Sequence, residues 1–498
     1  MATDRTSVRG IDGSPRPLIA MAGASPPLTV GDGGSDKGVD CGPVPAMTAP
    51  IGRAPIEAVI SVGVGLAVPA AAALLLWPAL WNRYPIVFAD TGTYLSQAVH
   101  RYAGWDRPVF YSLFMLALHW TVTAWPVVIA QALLTAWILR LVCRSLVPGR
   151  KPLVFIGGVG LLAVGTWLPW TVSELMPDVF TPLLVLVICL MAVVPERLSA
   201  RERIVLTALA AFMIASQQSS LPLAFGLIAV LWLVARSLSR RGGRLLALLA
   251  APVLAILAMC SMNLAAHGRF SVSPYGNVFL LARVIYDGPG MAALRTGCPA
   301  SHWRLCPFLD AFPASSDEFL WTDASPLNLA GGAKAVSTDA NAIIRAALYA
   351  GPGAEFRAAL INTADQLTRF ASGDGLQPWP AQVSCWIARD FPAREAAAYA
   401  GARQQAGTLA VPPFLARLHI AVALGGVAAC VVLLPIALIR REPVAGLLLA
   451  VLAALPLSAA ITGALSTPHD RYQSRIVWLA PFAATVSLAA LLRRPDAA

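Results

Sequence analysis

From about residue 57 onward the chain alternates long apolar runs with short polar breaks. A helix needs about 20 mostly apolar residues to cross the hydrocarbon core of a bilayer. Runs of that length without a charged side chain recur, as in Ala58 to Trp81, Pro152 to Val172 and Val444 to Leu465. The pattern predicts about ten spans, over 57–81, 124–144, 152–172, 178–195, 203–217, 220–237, 244–265, 416–438, 444–463 and 475–492. The apolar stretch 108–121 is too short to cross, so it is read as lying in the interface or re-entering. The expected fold class is therefore an all-α polytopic membrane protein.

Two segments break the alternation. Residues 1–54 are rich in Gly, Pro, Ser and Asp without sustained periodicity, which predicts a disordered tail. Residues 267–411 carry Pro/Gly punctuation, tryptophans and helical periodicity around Ala340 to Ala350 and Glu355 to Phe370, which predicts a small, mainly helical domain resting on the membrane face. The chain thus divides into a tail (1–54), an N-terminal membrane module (55–266) with a polar loop region over 82–121, the 267–411 domain, and a C-terminal membrane module (412–498).

Charge sets the orientation. The chain is 57% hydrophobic and only 13% charged, with a net charge of +11. In a soluble protein such a balance would suggest nucleic acid, but the cations sit mainly in short loops between apolar runs, which argues against a nucleic-acid partner. One alternating set of loops carries Arg140, Arg144, Arg150 and Lys151, then Arg197, Arg201 and Arg203, then Arg236, Arg240, Arg241 and Arg244, then Arg440 and Arg441, then Arg493 and Arg494. By the positive-inside rule these face the cytoplasm, as do both termini, in a bacterial-type inner membrane. The 82–107 loop, the 173–177 and 217–219 turns, the 267–411 domain and the 464–474 loop then lie on the other side.

Eight cysteines form no metal-binding spacing. Cys143, Cys189, Cys260 and Cys430 lie in or beside apolar runs, as small core residues do. Cys298 and Cys306 fall in the 267–411 segment, where a disulfide closing a short loop and a pair of free buried thiols are both open. There is no phosphate-cradling Walker loop, dinucleotide-binding glycine fingerprint, His-Glu-x-x-His or Gly-x-Ser-x-Gly. Nucleotide-driven transport and zinc or serine hydrolysis lose support accordingly.

The polar loops hold the candidate chemistry. The first reads Phe88-Ala-Asp-Thr-Gly-Thr-Tyr-Leu and then Arg107-Pro-Val-Phe-Tyr-Ser-Leu-Phe; the last reads His469-Asp-Arg-Tyr-Gln-Ser-Arg and runs into Ile476-Val-Trp-Leu-Ala-Pro-Phe. In these parts the chain resembles the C-type glycosyltransferases, membrane enzymes that take sugars from polyprenyl phosphates, including protein O-mannosyltransferases and aminoarabinose transferases of lipid A. It departs from many of them in reading Asp90-Thr-Gly-Thr-Tyr94 where they carry two acidic residues together, and in having a single Pro after Arg107. The resemblance implies a C-type fold, a polyprenyl-phosphate-linked sugar as donor and a glycan, lipid or protein as acceptor. It also assigns Asp90 as the general base or acceptor-positioning group.

The chemistry asks for such a set. An incoming hydroxyl must lose its proton as it displaces the lipid phosphate, and the departing phosphate needs cations. Arg471 is the first candidate for that contact because a guanidinium fork matches phosphate oxygens, with Arg475, Arg107 and His469 as helpers. Tyr94, Tyr472, Asp178 and Glu174 are candidates for substrate contact, Asp178 ahead of Glu174. Convergence of these carboxylates on Asp90 would allow a divalent cation.

Other roles stay open for each. Asp90 can cap a helix starting at Thr91, Arg471 and Arg475 can reach lipid headgroups, Asp178 can favour a helix dipole, and the tyrosines can belong to an interfacial belt. Gln217 and its neighbours read as an ordinary turn. Asp310, Asp317, Glu318, Trp303 and Trp321 offer a carbohydrate-binding surface no more specific than any folded domain's. A transporter or flippase of lipid-linked glycans, or a non-catalytic envelope scaffold, are the rival readings. The former needs ionisable groups inside the spans, where the pattern has few.

Overall fold

A computed structural model of the protein describes residues 66–149, 152–237 and 245–493. The expected tail, the start of the first span and several loop cations, among them Arg150, Lys151 and Arg240, lie outside those residues. Every named element among the described residues is a helix or a helical turn.

The helices follow the apolar runs, and prolines cut some of them. The first run gives α1 (Leu66–Leu75) and α2 (Trp77–Asn82), with Pro78 in the first turn of α2. The polar excursion folds into α3 (Thr91–Val99) and α4 (Val109–His119), and α5 (Trp125–Leu146) follows. The run expected as one span over 152–172 is divided into α6 (Pro152–Gly165) and α7 (Leu168–Ser173). Pro169 explains the division, because it has no N–H to give the preceding turn but is well placed in the first turn of a new helix. Next come α8 (Phe180–Val193), α9 (Ala200–Ser216), α10 (Ser220–Ser237) and α11 (Leu245–His267). The start of α9 is fixed by a reciprocal cap: Ser199 Oγ accepts from Glu202 N, and Glu202 Oε2 accepts from Ser199 N.

The 267–411 segment supplies α12 (Gly276–Tyr286), α13 (Pro289–Ser301), α14 (Ser316–Trp321), α15 (Pro326–Leu329), α16 (Gly332–Ala350), α17 (Pro352–Thr368), α18 (Cys385–Asp390) and α19 (Ala393–Ala400). The chain ends in α20 (Pro413–Ile439), α21 (Val444–Leu465), α22 (Asp470–Val477) and α23 (Leu479–Leu491). Pro481 accounts for the step between the last two, since its ring would crowd the Val477 carbonyl; at that step the Trp478 indole donates to the Arg475 carbonyl at 2.8 Å.

Five helices among the described residues are long and apolar enough to cross a membrane: Trp125–Leu146, Ala247–His267, Pro413–Ile439, Val444–Leu465 and Asp470–Leu491, the last taking α22 and α23 together. The chain is a membrane protein. Its surface says the same, with Leu153, Leu161, Ile204 and Ile439 exposed on helix exteriors where hydrocarbon, unlike water, imposes no penalty. At the centre stands α8, in which every residue from Phe180 to Met191 is buried, as a helix apolar all round requires.

A second core belongs to α12–α16. There Val278, Leu281, Leu294, Phe319, Val336, Ile343 and Ala347 pack together, those of α16 recurring at helical spacing. Cys298 and Cys306 are joined by a disulfide at its edge. The rest of the 267–411 segment packs against the membrane helices. Val383, Ile387, Phe391 and Tyr399 join their core. Helix α17 lies along α21, so close at Gly463 that a Cβ there would sit 2.6 Å from the Asn362 carbonyl oxygen.

Candidate functional site

The site is built where the first loop, the 173–178 hairpin and the start of α22 meet. Ile86 and Glu174 pair as a parallel bridge, Ile86 N donating to Ser173 O at 2.9 Å and Leu175 N to Ile86 O at 2.8 Å. Gln131 of α5 holds the same hairpin, its Nε2 donating to the carbonyls of Val172 and Glu174 at 2.9 Å each. On the other side Gln404 grips the loop: Val87 N donates to its Oε1 at 3.0 Å and its Nε2 donates to Val87 O at 2.7 Å.

Asp90 stands at the N-cap position of α3, yet its side chain makes no cap bond. Thr91 does local work instead, its Oγ1 accepting from Phe88 N at 2.9 Å and donating to Leu175 O at 3.2 Å. The Asp90 carboxylate is left to accept from Arg107 Nη2 at 2.8 Å. This pair keeps some water, with side chains 19% and 21% exposed respectively. The Arg107 guanidinium lies 5.0 Å from the ring centre of Trp321. Burial alone would lower its pKa, but Asp90 and Asp106 outweigh that and raise it. Tyr94 is buried beneath, edge-on to Tyr111 at 5.0 Å, and burial pushes its phenol above the ordinary range.

Asp178 is the anchor of the second half. One oxygen accepts from Arg471 Nη2 at 2.8 Å; the other accepts from Arg475 Nη1 and, at 3.3 Å, from Gln217 Nε2. Gln217 thus does more than turn the chain, and it is itself fixed by Thr181 Oγ1 at 2.6 Å. Side-chain exposure is 4% for Asp178 and 2% for Arg475 but 16% for Arg471. Arg471 rests on Phe88, 3.8 Å from the ring centre, an arrangement that attracts a cation to the aromatic face. Tyr472 lies beneath both guanidiniums, at 5.6 Å from Arg471 and 5.1 Å from Arg475.

Around this centre the last loop is tied down by acids that its sequence does not announce. Asp374 Oδ2 accepts from Arg471 N at 3.0 Å, and Asp470 Oδ1 accepts from Ala371 N at 2.8 Å. His469 pairs with Asp317 Oδ2 at 3.1 Å, which holds that carboxyl below its usual range. Arg283, clamped by Asp287, donates to the Ser466 carbonyl at 3.2 Å.

Of the residues expected from sequence, Asp90, Arg107, Tyr94, Glu174, Asp178, Arg471, Arg475 and Tyr472 are gathered here, each within electrostatic reach of another member. His469 is bound to the α14 side. Sequence reasoning passed over Asp374 and Gln404, whose partners lie far along the chain. The convergence of acids that would have held a divalent cation is not built: Asp90 is bonded to Arg107 and Asp178 to two arginines, and no cluster of three His, Cys, Asp or Glu side chains suited to a metal occurs among the described residues. No family model, curated protein or solved structure matches the chain.

Proposed function

We propose that the chain is an integral-membrane glycosyltransferase of the C-type fold, with about ten spans, that moves a sugar from a polyprenyl phosphate to a glycan, lipid or protein acceptor outside the cytoplasm. In this reading the enzyme sits in a bacterial-type inner membrane with both termini cytoplasmic. The 267–411 segment lies over the site, and the reaction draws on lipid-linked sugar without a nucleotide sugar.

The observation that carries the reading is the meeting of the first and last loops around two guanidiniums of unequal exposure. Arg475 and Gln217 hold one oxygen of Asp178, and Arg471 takes the other with a single N–H. Arg471 is the more exposed guanidinium and has further N–H groups to offer. A phosphate seated there meets a planar fork backed by Phe88, in a half-desolvated setting that strengthens charge attraction. As the acceptor oxygen attacks the anomeric carbon, the sugar–phosphate C–O bond breaks and the lipid phosphate leaves with the electron pair. In this reading Asp90, held by Arg107, orients the acceptor hydroxyl.

The test compares envelope glycans and lipid-linked sugars in cells carrying wild type, a deletion, Asp90→Asn or Arg471→Ala, with membrane levels of each protein checked. The expected outcome is that both stably inserted variants reproduce the deletion's missing sugar and accumulated donor. If both act as wild type while the deletion has a phenotype, transport or scaffolding becomes the better account.

A further inference from the structure

Three carboxylates surround the Arg471 guanidinium, and two of them are already engaged. Asp90 accepts from Arg107, and Asp178 from Arg471, Arg475 and Gln217. The carboxylate of Glu174 has no hydrogen-bond partner among the described residues, although its backbone is fixed on both sides by Ile86 and Gln131. An unbonded carboxyl on a rigid stem at the centre of a polar site has no structural duty that the fold requires of it.

We propose that Glu174 is the general base of the transfer, the group that takes the acceptor hydroxyl's proton as the sugar leaves its lipid phosphate. This deepens the glycosyltransferase reading and rests on it. The step balances: the O–H bond breaks and its proton passes to a Glu174 oxygen, the new glycosidic C–O bond forms, and the old C–O bond releases the phosphate with its electron pair toward Arg471. Asp90 is then a positioning group.

The surroundings suit that task. The carboxyl lies over Gly375, whose φ of +85° and lack of a side chain leave room; a Cβ there would stand 3.8 Å from Glu174 Oε1. The charged groups facing it are Arg471 from α22, Asp178 from its own hairpin, Asp374 from the loop after α17 and Asp90 from the first loop. Burial is the largest influence and raises its pKa; Arg471 opposes it and the three acids add to it, to about 8. A base poised near the working pH combines an adequate deprotonated fraction with real basicity. Because the deprotonated form is the active one, transfer should rise with pH through about 8.

The experiment uses the full-length protein in proteoliposomes, supplied with the lipid extract that accumulates in the deletion strain and with deletion-strain envelope as acceptor. Wild type should consume the lipid-linked sugar with a rate that climbs through pH 8. Glu174→Gln should lose about 100-fold or more, with an unchanged melting midpoint and no pH step; Glu174→Asp should recover part of the rate with the step restored. Separately, dicyclohexylcarbodiimide, which adds across protonated carboxyls in apolar surroundings, should modify Glu174 strongly at pH 7 and about tenfold less at pH 9, as read by peptide mass spectrometry. Wild-type transfer with an unchanged rate and pH profile in Glu174→Gln overturns the base role alone, as does labelling of Glu174 that ignores pH. Absence of any transfer by wild type sinks the transferase reading and the base role with it.

Discussion

The two ion pairs of the site differ in how much water they keep. Asp90 and Arg107 each leave about a fifth of the side chain exposed, whereas Asp178 and Arg475 are almost wholly enclosed. An enclosed charge has no solvent to fall back on, so its partners are conditions of folding; a charge at the rim can exchange its partner for water or a ligand. The same kinds of residue therefore hold the helices together in one half of the site and stand open to water or a ligand in the other. Arg471 stands between them, bound to Asp178 yet reachable.

The largest effect should come from Asp178→Asn. It leaves the Arg475 guanidinium buried without a counter-charge, and breaking a buried pair in this way costs about 3–5 kcal/mol. The expected outcome is a large fall in the melting midpoint of the detergent-purified protein and loss of the inserted fraction. Because an apolar replacement of both partners is often tolerated, Asp178→Leu with Arg475→Met should regain much of that loss while remaining inactive. A single variant as stable as wild type would erase the distinction between the two pairs.

Next in size is Gly375→Ala. A methyl there meets the Phe88 ring at 2.6 Å, and the φ of +85° already disfavours a side chain. The strain is worth about 1–3 kcal/mol, and Phe88 is the ring that carries Arg471. Both the melting midpoint and donor binding should fall. A fall in stability with unaltered donor binding would separate Phe88 from Arg471's function.

Much of this arrangement is legible in the sequence, because helix positions follow apolar length. Runs such as 124–144, 416–438 and 444–463 reappear within a few residues as α5, α20 and α21. The breaks were legible too, at Pro169 and Pro481, but a count of apolar residues alone passes over them. The site residues stood out as charges beside apolar runs, yet their pairing did not. Nothing local tells that Asp178 meets Arg475, or that the Gln404 side chain bonds Val87, since such contacts are made by packing helices distant in the chain. By composition the 267–411 segment reads as one unit, but its residues serve two cores, because α18 and α19 present apolar faces that the membrane helices cover.

The smallest effect, and the sharpest comparison with Asp178→Asn, is the stability of Asp90→Asn. The amide keeps the shape of the carboxylate and retains an oxygen to accept from Arg107, and the guanidinium keeps its own access to water and the Trp321 face. A partly exposed pair contributes about 0.2–1 kcal/mol, so the melting midpoint should move little even if sugar transfer is abolished. A double-mutant cycle with Arg107→Ala measures the coupling directly. A coupling under about 1 kcal/mol with a large loss of transfer would place Asp90 among groups held for chemistry. A coupling approaching that of the enclosed pair would make both ion pairs structural, and Arg471 would be left as the exposed functional charge between them.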